Sequence, residues 1–454
     1  MNSSENTKDA LFETTAVPAA LAVMAIPTII SQLITLIYNV ADTWFIGQTK
    51  NPYMVASSSL VLTIFLMTTA LANLFGVGGG SLVVRLLGAG QEDEAGKVSS
   101  LSLVMAGAAS IAFSLLCLLF MEPLLWLLGA SDQTIGYAKQ YLFFVVVIGG
   151  FPTVMSNTMS SMLRSIGYSR QAGFGIGLGG VLNIALDPLF MFVILPDGYQ
   201  VMGASIATML SNIVAFLYFV WSYWSVRNRS ILSFPGKIEK IRNSSMAAIF
   251  SVGVPAALSL LLFDLTNMVI NRLSASHGDI ELAAIGIVLK VERLPLNIGI
   301  GICLGMVPLV AYNYSAKNFQ RMRAFFSAAR IAGLITSIIC VVVYRVFAAQ
   351  IIAAFIPDPD TVRYGTEFLE ARCFATPFMF LSFHMVHFMQ AIGRGKVSFY
   401  LAAIRQLLLN IPILFLLNYL LGMTGIVWTQ MIADYLNVIA SYIIYMRLND
   451  QKSI

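Results

Sequence analysis

The chain has 454 residues, of which 27 are Lys or Arg and 22 are Asp or Glu, so formal charges make up only 11%. A soluble globular chain carries roughly 25%. With 58% hydrophobic residues and a mean hydropathy of +0.81, this chain lacks the charge to cover a water-facing surface. A soluble enzyme is excluded, and so is a disordered chain, which would be poor in aliphatic and aromatic residues. The net charge of +5 is not gathered into a basic face, so the expected partner is the lipid bilayer and not nucleic acid.

About 20 consecutive apolar residues are needed to cross a bilayer as a helix. Twelve such runs are predicted, at 18–46, 54–86, 99–121, 136–162, 171–195, 200–225, 245–272, 281–312, 324–347, 364–391, 397–420 and 424–446. Residues 1–17 are polar and carry Glu5, Lys8, Asp9 and Glu13, without the basic start and short apolar run of a cleavable signal. The first run is therefore expected to stay as a helix.

In that first span Gln32, Thr35, Asn39 and Asp42 recur at steps of 3, 4 and 3, a polar stripe on one helix face ending in a carboxylate. Glu92-Asp93-Glu94, after the second span, reads as a solvated helix start. In the fifth span Gly173, Gly175, Gly177 and Gly179 lack a preceding strand, so they signal close helix packing and not a phosphate loop. Asn183 and Asp187 follow one turn apart, and Pro188 removes the hydrogen bond to the Ile184 carbonyl. A loosened turn beside a carboxylate and an amide is an oxygen-ligand set for a hard cation. The sixth span adds Ala204, Thr208 and Asn212 at steps of four.

The segment 226–244, with Pro235-Gly236 and several cations, reads as a cytoplasmic linker between an N-lobe at 1–225 and a C-lobe at 245–454. Beyond it, Asp264, Asn267 and Asn271 share a face of the seventh span. The remaining intramembrane acids are Glu292 and Asp434, and all five intramembrane cations (Lys290, Arg293, Arg330, Arg372 and Arg405) also lie in this half. Asp264 and Glu292 therefore have cations available, and a buried ion-pair network is as good a reading there as substrate binding. His384 and His387 lie three apart without further ligands for a zinc site, and Cys117, Cys303, Cys340 and Cys373 stand singly in apolar runs.

Cationic loops mark the cytoplasmic side. Placing the termini with the loops after the even-numbered spans puts seventeen Lys and Arg on that side, among them Arg85, Lys97, Arg164, Arg227, Lys317 and Arg447. Only Lys50, Lys139, Arg272, Arg345 and Arg363 fall on the other, so both termini are predicted to be cytoplasmic.

The two halves repeat. Ile26-Pro27 recurs as Val254-Pro255 and Asn39 as Asn267, at an offset of 228. Leu182-Asn183-Ile184 recurs as Leu409-Asn410-Ile411 at 227, and Ile166-Gly167 as Ile392-Gly393 at 226. Six spans per half make the repeats parallel, a transporter architecture. The partner position of Asp42 is Ile270, so the halves differ chemically. Acids inside a span cost about 2.5–3.5 kcal/mol each and by default mark function. Asp42 and Asp187 have no cation in any span of their own half. Two such carboxylates in a low-dielectric pocket cannot both remain charged cheaply, so they are expected to take up a proton or a monovalent cation.

These residues together resemble the multidrug and toxic compound extrusion (MATE) family, in its bacterial multidrug branch, over essentially the whole chain. The resemblance is carried by Pro27, by Asn39-Val40-Ala41-Asp42-Thr43-Trp44-Phe45-Ile46-Gly47 and by Gly88-Ala89-Gly90, with its echo Asn313-Tyr314-Ser315-Ala316-Lys317. Leu182-Asn183-Ile184-Ala185-Leu186-Asp187-Pro188-Leu189-Phe190, Gly203-Ala204-Ser205-Ile206-Ala207-Thr208 and Gln390-Ala391-Ile392-Gly393 complete it. The resemblance implies an all-α polytopic membrane protein with twelve transmembrane helices in two parallel six-helix lobes forming a V-shaped cleft. It implies a secondary antiporter, not an enzyme, that exports small organic cations and toxic compounds in exchange for H⁺ or Na⁺. No cofactor and no metal other than sodium would be needed, and the protein would be a monomer in a bacterial cytoplasmic membrane. By that resemblance Asp42, Asp187, Asn183, Thr208 and Ala204 would form the coupling-cation site and Asn157 would line the cavity, while the polar faces of Gln32, Thr35 and Asn39 and of Asp264 and Asn267 are the further candidates for the substrate cavity. The alternative is a lipid-linked saccharide flippase of the same superfamily, for which the five cations of one half could serve a pyrophosphate. A non-transporting receptor or scaffold is a third reading. The Gly-x-x-x-Asp-Arg-x-Gly-Arg pattern of major facilitator proteins is missing after the second span.

Overall fold

The computed structural model describes residues 10–227, 230–232 and 243–450. Glu5, Lys8, Asp9, Arg229, Lys452 and most of the proposed linker, with Pro235-Gly236, Lys237, Lys240 and Arg242, lie outside the described residues. Among the described residues every regular element is helical.

Twelve membrane-length segments follow in order. In the first half they are α1 (Val17–Gln48), α2 (Pro52–Gly88), α3 (Glu92–Leu119), α4 (Ile135–Leu142, then Gly150–Ser165), α5 (Ser169–Leu189) and α6 (Gln200–Val226). In the second they are α7 (Asn243–Ser274), α8 (Asp279–Val291, then Arg293–Ser315), α9 (Phe319–Phe355), α10 (Pro359–Arg372, then Thr376–Ala391), α11 (Gly395–Ala403, then Ile411–Leu421) and α12 (Met423–Asp450). Nine of these are long and apolar enough by themselves to cross a membrane, and the two parts of α4, bent by 44°, make a tenth. The other two, α10 and α12, are the segments interrupted by a 3₁₀ turn at Cys373–Ala375 and carrying the buried polar residues Gln430, Asp434, Asn437 and Ser441.

Sequence sets the helix ends. The Asn51 side chain caps α2 by accepting from the Tyr53 N–H, with Pro52 in the first turn. Asn318 accepts from the Arg321 N–H to open α9, and Asp358 from Thr361 to open α10. Glu92-Asp93-Glu94 do form a first helical turn, and Lys97 pairs with Asp93 at 2.6 Å and Glu94 at 3.2 Å. The repeat is also written in the backbone. Gly167 and Gly393, 226 apart in sequence, turn the chain out of α4 and α10 at φ of +89° and +77°. Gly90 (+73°) has Lys317 (+60°) as its counterpart. Lysine adopts that left-handed geometry only at a cost, so a matching turn is being imposed on it.

Among the described residues, π-helical stretches occur at Phe143–Ile148 in α4, Phe190–Ile194 after α5 and Ile404–Asn410 in α11. Such stretches frequently mark functional sites. By contacts the chain divides into two compact units, 1–15 with 30–257 and 16–29 with 258–454. The division runs through α1 and α7, two residues beyond Pro27 and Pro255, and not through 226–244. Glycines explain why. In the first unit a side chain on Gly78 or Gly253 would strike the Ile249 carbonyl or the Leu74 carbonyl, so α2 and the start of α7 touch backbone to backbone. In the second unit Gly301 and Gly305 of α8 leave room for Ile29 and Ala25 of α1 in the same way. The α5 glycines also behave as packing residues. A Cβ on Gly175 would overlap Phe219 of α6, and one on Gly180 would lie 2.7 Å from Ile34 of α1.

Overpacking of this kind costs about 1–3 kcal/mol. Gly253→Val is expected to lower the thermal unfolding midpoint in detergent by about 1–3 °C. Gly286→Val, where a Cβ meets nothing within 4 Å, is expected to leave it nearly unchanged.

Candidate functional site

Within the first unit, α1, α4, α5 and α6 bring together Asp42, Tyr141, Asn183, Asp187 and Thr208. Asn183 and Asp187 sit one turn apart on the same face of α5, and the Asn183 amide donates to Asp187 Oδ1 at 3.3 Å. The same amide donates to Thr208 Oγ1 on α6 at 3.2 Å. That cross-helix bond needs α6 close by, and Gly203 permits it. A Cβ there would stand 2.8 Å from the backbone of Phe190, where the π-helical stretch after Pro188 begins. Ala204, beside it, is fully buried in the core.

Asp42, half-buried on α1, accepts a long 3.5 Å hydrogen bond from the Tyr141 hydroxyl of α4. Asp42 and Asp187 lie within electrostatic range of each other and of Tyr141, and Tyr38, one turn before Asp42, joins the same group. Among the described residues no Lys, Arg or His is hydrogen-bonded or ion-paired to either carboxylate. Three buried oxygens, Asp42 Oδ1, Asp187 Oδ2 and Asn183 Oδ1, have no hydrogen-bond partner. Acceptors outnumber donors here, and buried acceptors are costly when left unmatched. The group calls for a proton or a cation bound through oxygen.

The other sequence candidates are dispersed. Gln32 and Thr35 are half-buried and Asn39 is exposed on α1. Asn157, half-buried on α4, bonds back to the Thr153 carbonyl at 2.9 Å. Asp264 and Asn267 are half-buried on α7, and the nearby charge acting on Asp264 is Arg293. His384 is buried, 3.1 Å from the Phe326 carbonyl and stacked on the Phe326 ring at 4.4 Å. It is a packed residue, and among the described residues no metal-holding cluster occurs.

Two buried ion pairs form in the second half, while Asp264 Oδ2 is buried there without a hydrogen-bond partner. Arg372 of α10 grips Glu292 of α8 with two bonds of 2.8 and 2.9 Å. Arg405 of α11 grips Asp434 of α12 through both carboxylate oxygens. Sequence reasoning gave Asp434 no role and missed Tyr141. The available signal for Tyr141 was that a buried tyrosine hydroxyl seeks a partner, but its partner lies 99 residues away.

A helical membrane protein of two homologous halves, with acids unmatched by cations inside one of them, has the make-up of a secondary transporter. The MatE family model matches residues 27–189 and 255–416, once in each half and at the offset of the internal repeat. Multidrug export protein MepA of Staphylococcus haemolyticus (strain JCSC1435) is 31% identical over 439 residues, covering 96% of this chain and 95% of that protein. Its namesake from Staphylococcus aureus (strain MSSA476) is 29% identical, covering 98% and 96%. A solved outward-facing multidrug resistance MATE family transporter of the MOP superfamily shares the fold, with TM-score 0.92, 22% identity and 98% of each chain covered. The chain belongs to the MatE family.

Removing one partner of a buried ion pair costs about 3–5 kcal/mol, whereas replacing both by apolar groups is often tolerated. Glu292→Gln is therefore expected to destabilise the purified protein by about that amount. Glu292→Leu combined with Arg372→Met is expected to recover most of the stability and retain transport. A stable double variant without transport would give Glu292 a role in transport itself.

Proposed function

We propose that this chain is a multidrug efflux antiporter that exports small organic cations from a bacterial cell in exchange for H⁺ or Na⁺, with Asp42 and Asp187 as the coupling acids. One observation carries the reading: two carboxylates and an amide present three partnerless buried oxygens in a place without a cation. Relatives named as multidrug export proteins over nearly the full chain support the same reading. The flippase alternative is not favoured. Two of the five cations that kept it open, Arg372 and Arg405, are tied to Glu292 and Asp434, while Lys290 and Arg293 are exposed.

Coupling follows from the cost of bare charge. A carboxylate left inside the bilayer costs about 2.5–3.5 kcal/mol, so a conformation that seals the site with both acids uncompensated is disfavoured. Loading H⁺ or Na⁺ removes that penalty, as does a bound substrate cation held near the same acids. Substrate and coupling ion then substitute for one another, which is what antiport requires. Tyr141 positions Asp42, while Asn183 and Thr208 position Asp187 and leave the Asn183 oxygen for the ion. Gln32, Thr35, Asn39, Asn157, Asp264 and Asn267 serve the substrate. The lobes 1–225 and 245–454, joined by 226–244, alternate access as a monomer in the cytoplasmic membrane, with both termini in the cytoplasm.

Ethidium uptake into everted vesicles, driven by an imposed pH gradient or an imposed sodium gradient, tests this. Asp42→Asn and Asp187→Asn are each expected to slow gradient-driven transport roughly tenfold or more. Transport at the normal rate in either variant overturns its assignment. The gradient that drives the wild type identifies the ion.

A further inference from the structure

The repeat places Asn410 of α11 where the first half has Asn183 of α5. Both asparagines donate a side-chain amide across to the sixth helix of their own half. Asn183 reaches Thr208 at 3.2 Å, and Asn410 reaches Gln430 Oε1 at 2.9 Å. In both halves a carboxylate completes the set, on the fifth helix as Asp187 and on the sixth as Asp434. Gln430 Nε2 donates to Asp434 Oδ2 at 2.6 Å. Asp434 and Asn410 are both fully buried.

The halves differ in one component. Among the described residues the first has no cation paired at this place, and the second has the guanidinium of Arg405, bonded to both oxygens of Asp434. The π-helical stretch Ile404–Asn410 explains how one helix supplies both groups. In an α-helix, positions five apart diverge by about 140°, but a turn closed by i to i+5 bonds stacks them on one face. Arg405 and Asn410 are five apart, and both reach α12. The guanidinium lies 4.7 Å over the Phe383 ring and 5.9 Å from that of Phe263, an aromatic seat suited to a cation. Asn410 Oδ1 has no partner, and Asn437, fully buried one turn beyond Asp434, has none for either of its polar atoms.

We propose that the second half contains a cation site built on the plan of the first and that Arg405 fills it permanently with its own guanidinium. A tethered cation cannot be exchanged, so Arg405 keeps this site out of ion coupling. It is thus a residue that sets the number of ions moved per cycle, without itself handling substrate. The site that Arg405 fills would accept a monovalent alkali cation or guanidinium, through Asp434, Asn410 and Asn437.

The inference uses the full-length protein in detergent, in an Asp42→Asn/Asp187→Asn background, so its outcome does not depend on what those acids do. Binding of sodium-22 and of radiolabelled guanidinium is measured by equilibrium dialysis. With Arg405 intact, no cation is expected to bind. Adding Arg405→Ala is expected to create one site per chain for at least one of the two probes, and adding Asp434→Asn to abolish it. If Arg405→Ala is not recovered as folded protein, Arg405→Gln, which keeps most of the volume, is measured in its place. No gain of binding for either probe in the folded variant overturns the proposal. Cation binding that persists with Arg405 present and vanishes only with Asp434→Asn overturns it too.

Discussion

A negative charge without a positive partner in a low-dielectric interior is the constraint on which this protein turns. Water is excluded from most of the chain, and only a few ionisable groups lie within the spans. In the second half two acids are matched internally, Glu292 by Arg372 and Asp434 by Arg405, while Asp264 keeps one buried oxygen without a hydrogen-bond partner. Among the described residues of the first half, neither Asp42 nor Asp187 has such a pair. Asp42 receives one long bond from Tyr141, and Asp187 one from an amide. On the proposed reading the compensation comes from outside the chain, and a charge borrowed and returned couples one flux to another.

The scaffold serves this difference. Glycines at helix crossings let backbones meet, which fixes the positions of short polar side chains that could not span a wider gap. Gly203 against the turn at Phe190 sets the reach from Asn183 to Thr208. The π-helical stretches fall near the polar residues in both halves, after Asp187-Pro188 and across Arg405 to Asn410. The repeated fold leaves Asp42 and Asp187 without a cation in one half and ties Asp434 to Arg405 in the other, so the halves are asymmetric in charge and symmetric in packing.

Much of this was legible in the sequence, for physical reasons that can be named. The spans were visible because a bilayer demands long apolar runs, and the repeat because residues such as Gly167 and Gly393 hold positive φ in both halves. Asn183 with Asp187 was visible because contacts one helical turn apart are local. Contacts between helices were not. Tyr141 with Asp42 joins α4 to α1, and the choice of Arg372 for Glu292 and Arg405 for Asp434 depends on helix neighbours that hydropathy does not encode. The sequence placed Asp264 and Glu292 together among shared cations, whereas packing gives Arg372 to Glu292 and leaves Asp264 with a buried oxygen that has no hydrogen-bond partner. The π-helical stretches were hidden because a uniformly apolar run offers no periodicity to break. The passage of the unit division through α1 and α7 was hidden because glycine contacts, not the charged segment 226–244, decide it.

The central claim is that the acids of the first half hold an exchangeable cation that substrate displaces. The direct measurement is the release of ions when tetraphenylphosphonium binds to the purified protein in a weakly buffered detergent solution, followed with a pH indicator and a sodium-selective electrode. The account predicts release of at least one H⁺ or Na⁺ per substrate bound by the wild type, and none when both Asp42 and Asp187 are asparagine. Substrate binding that releases neither ion from the wild type would contradict it.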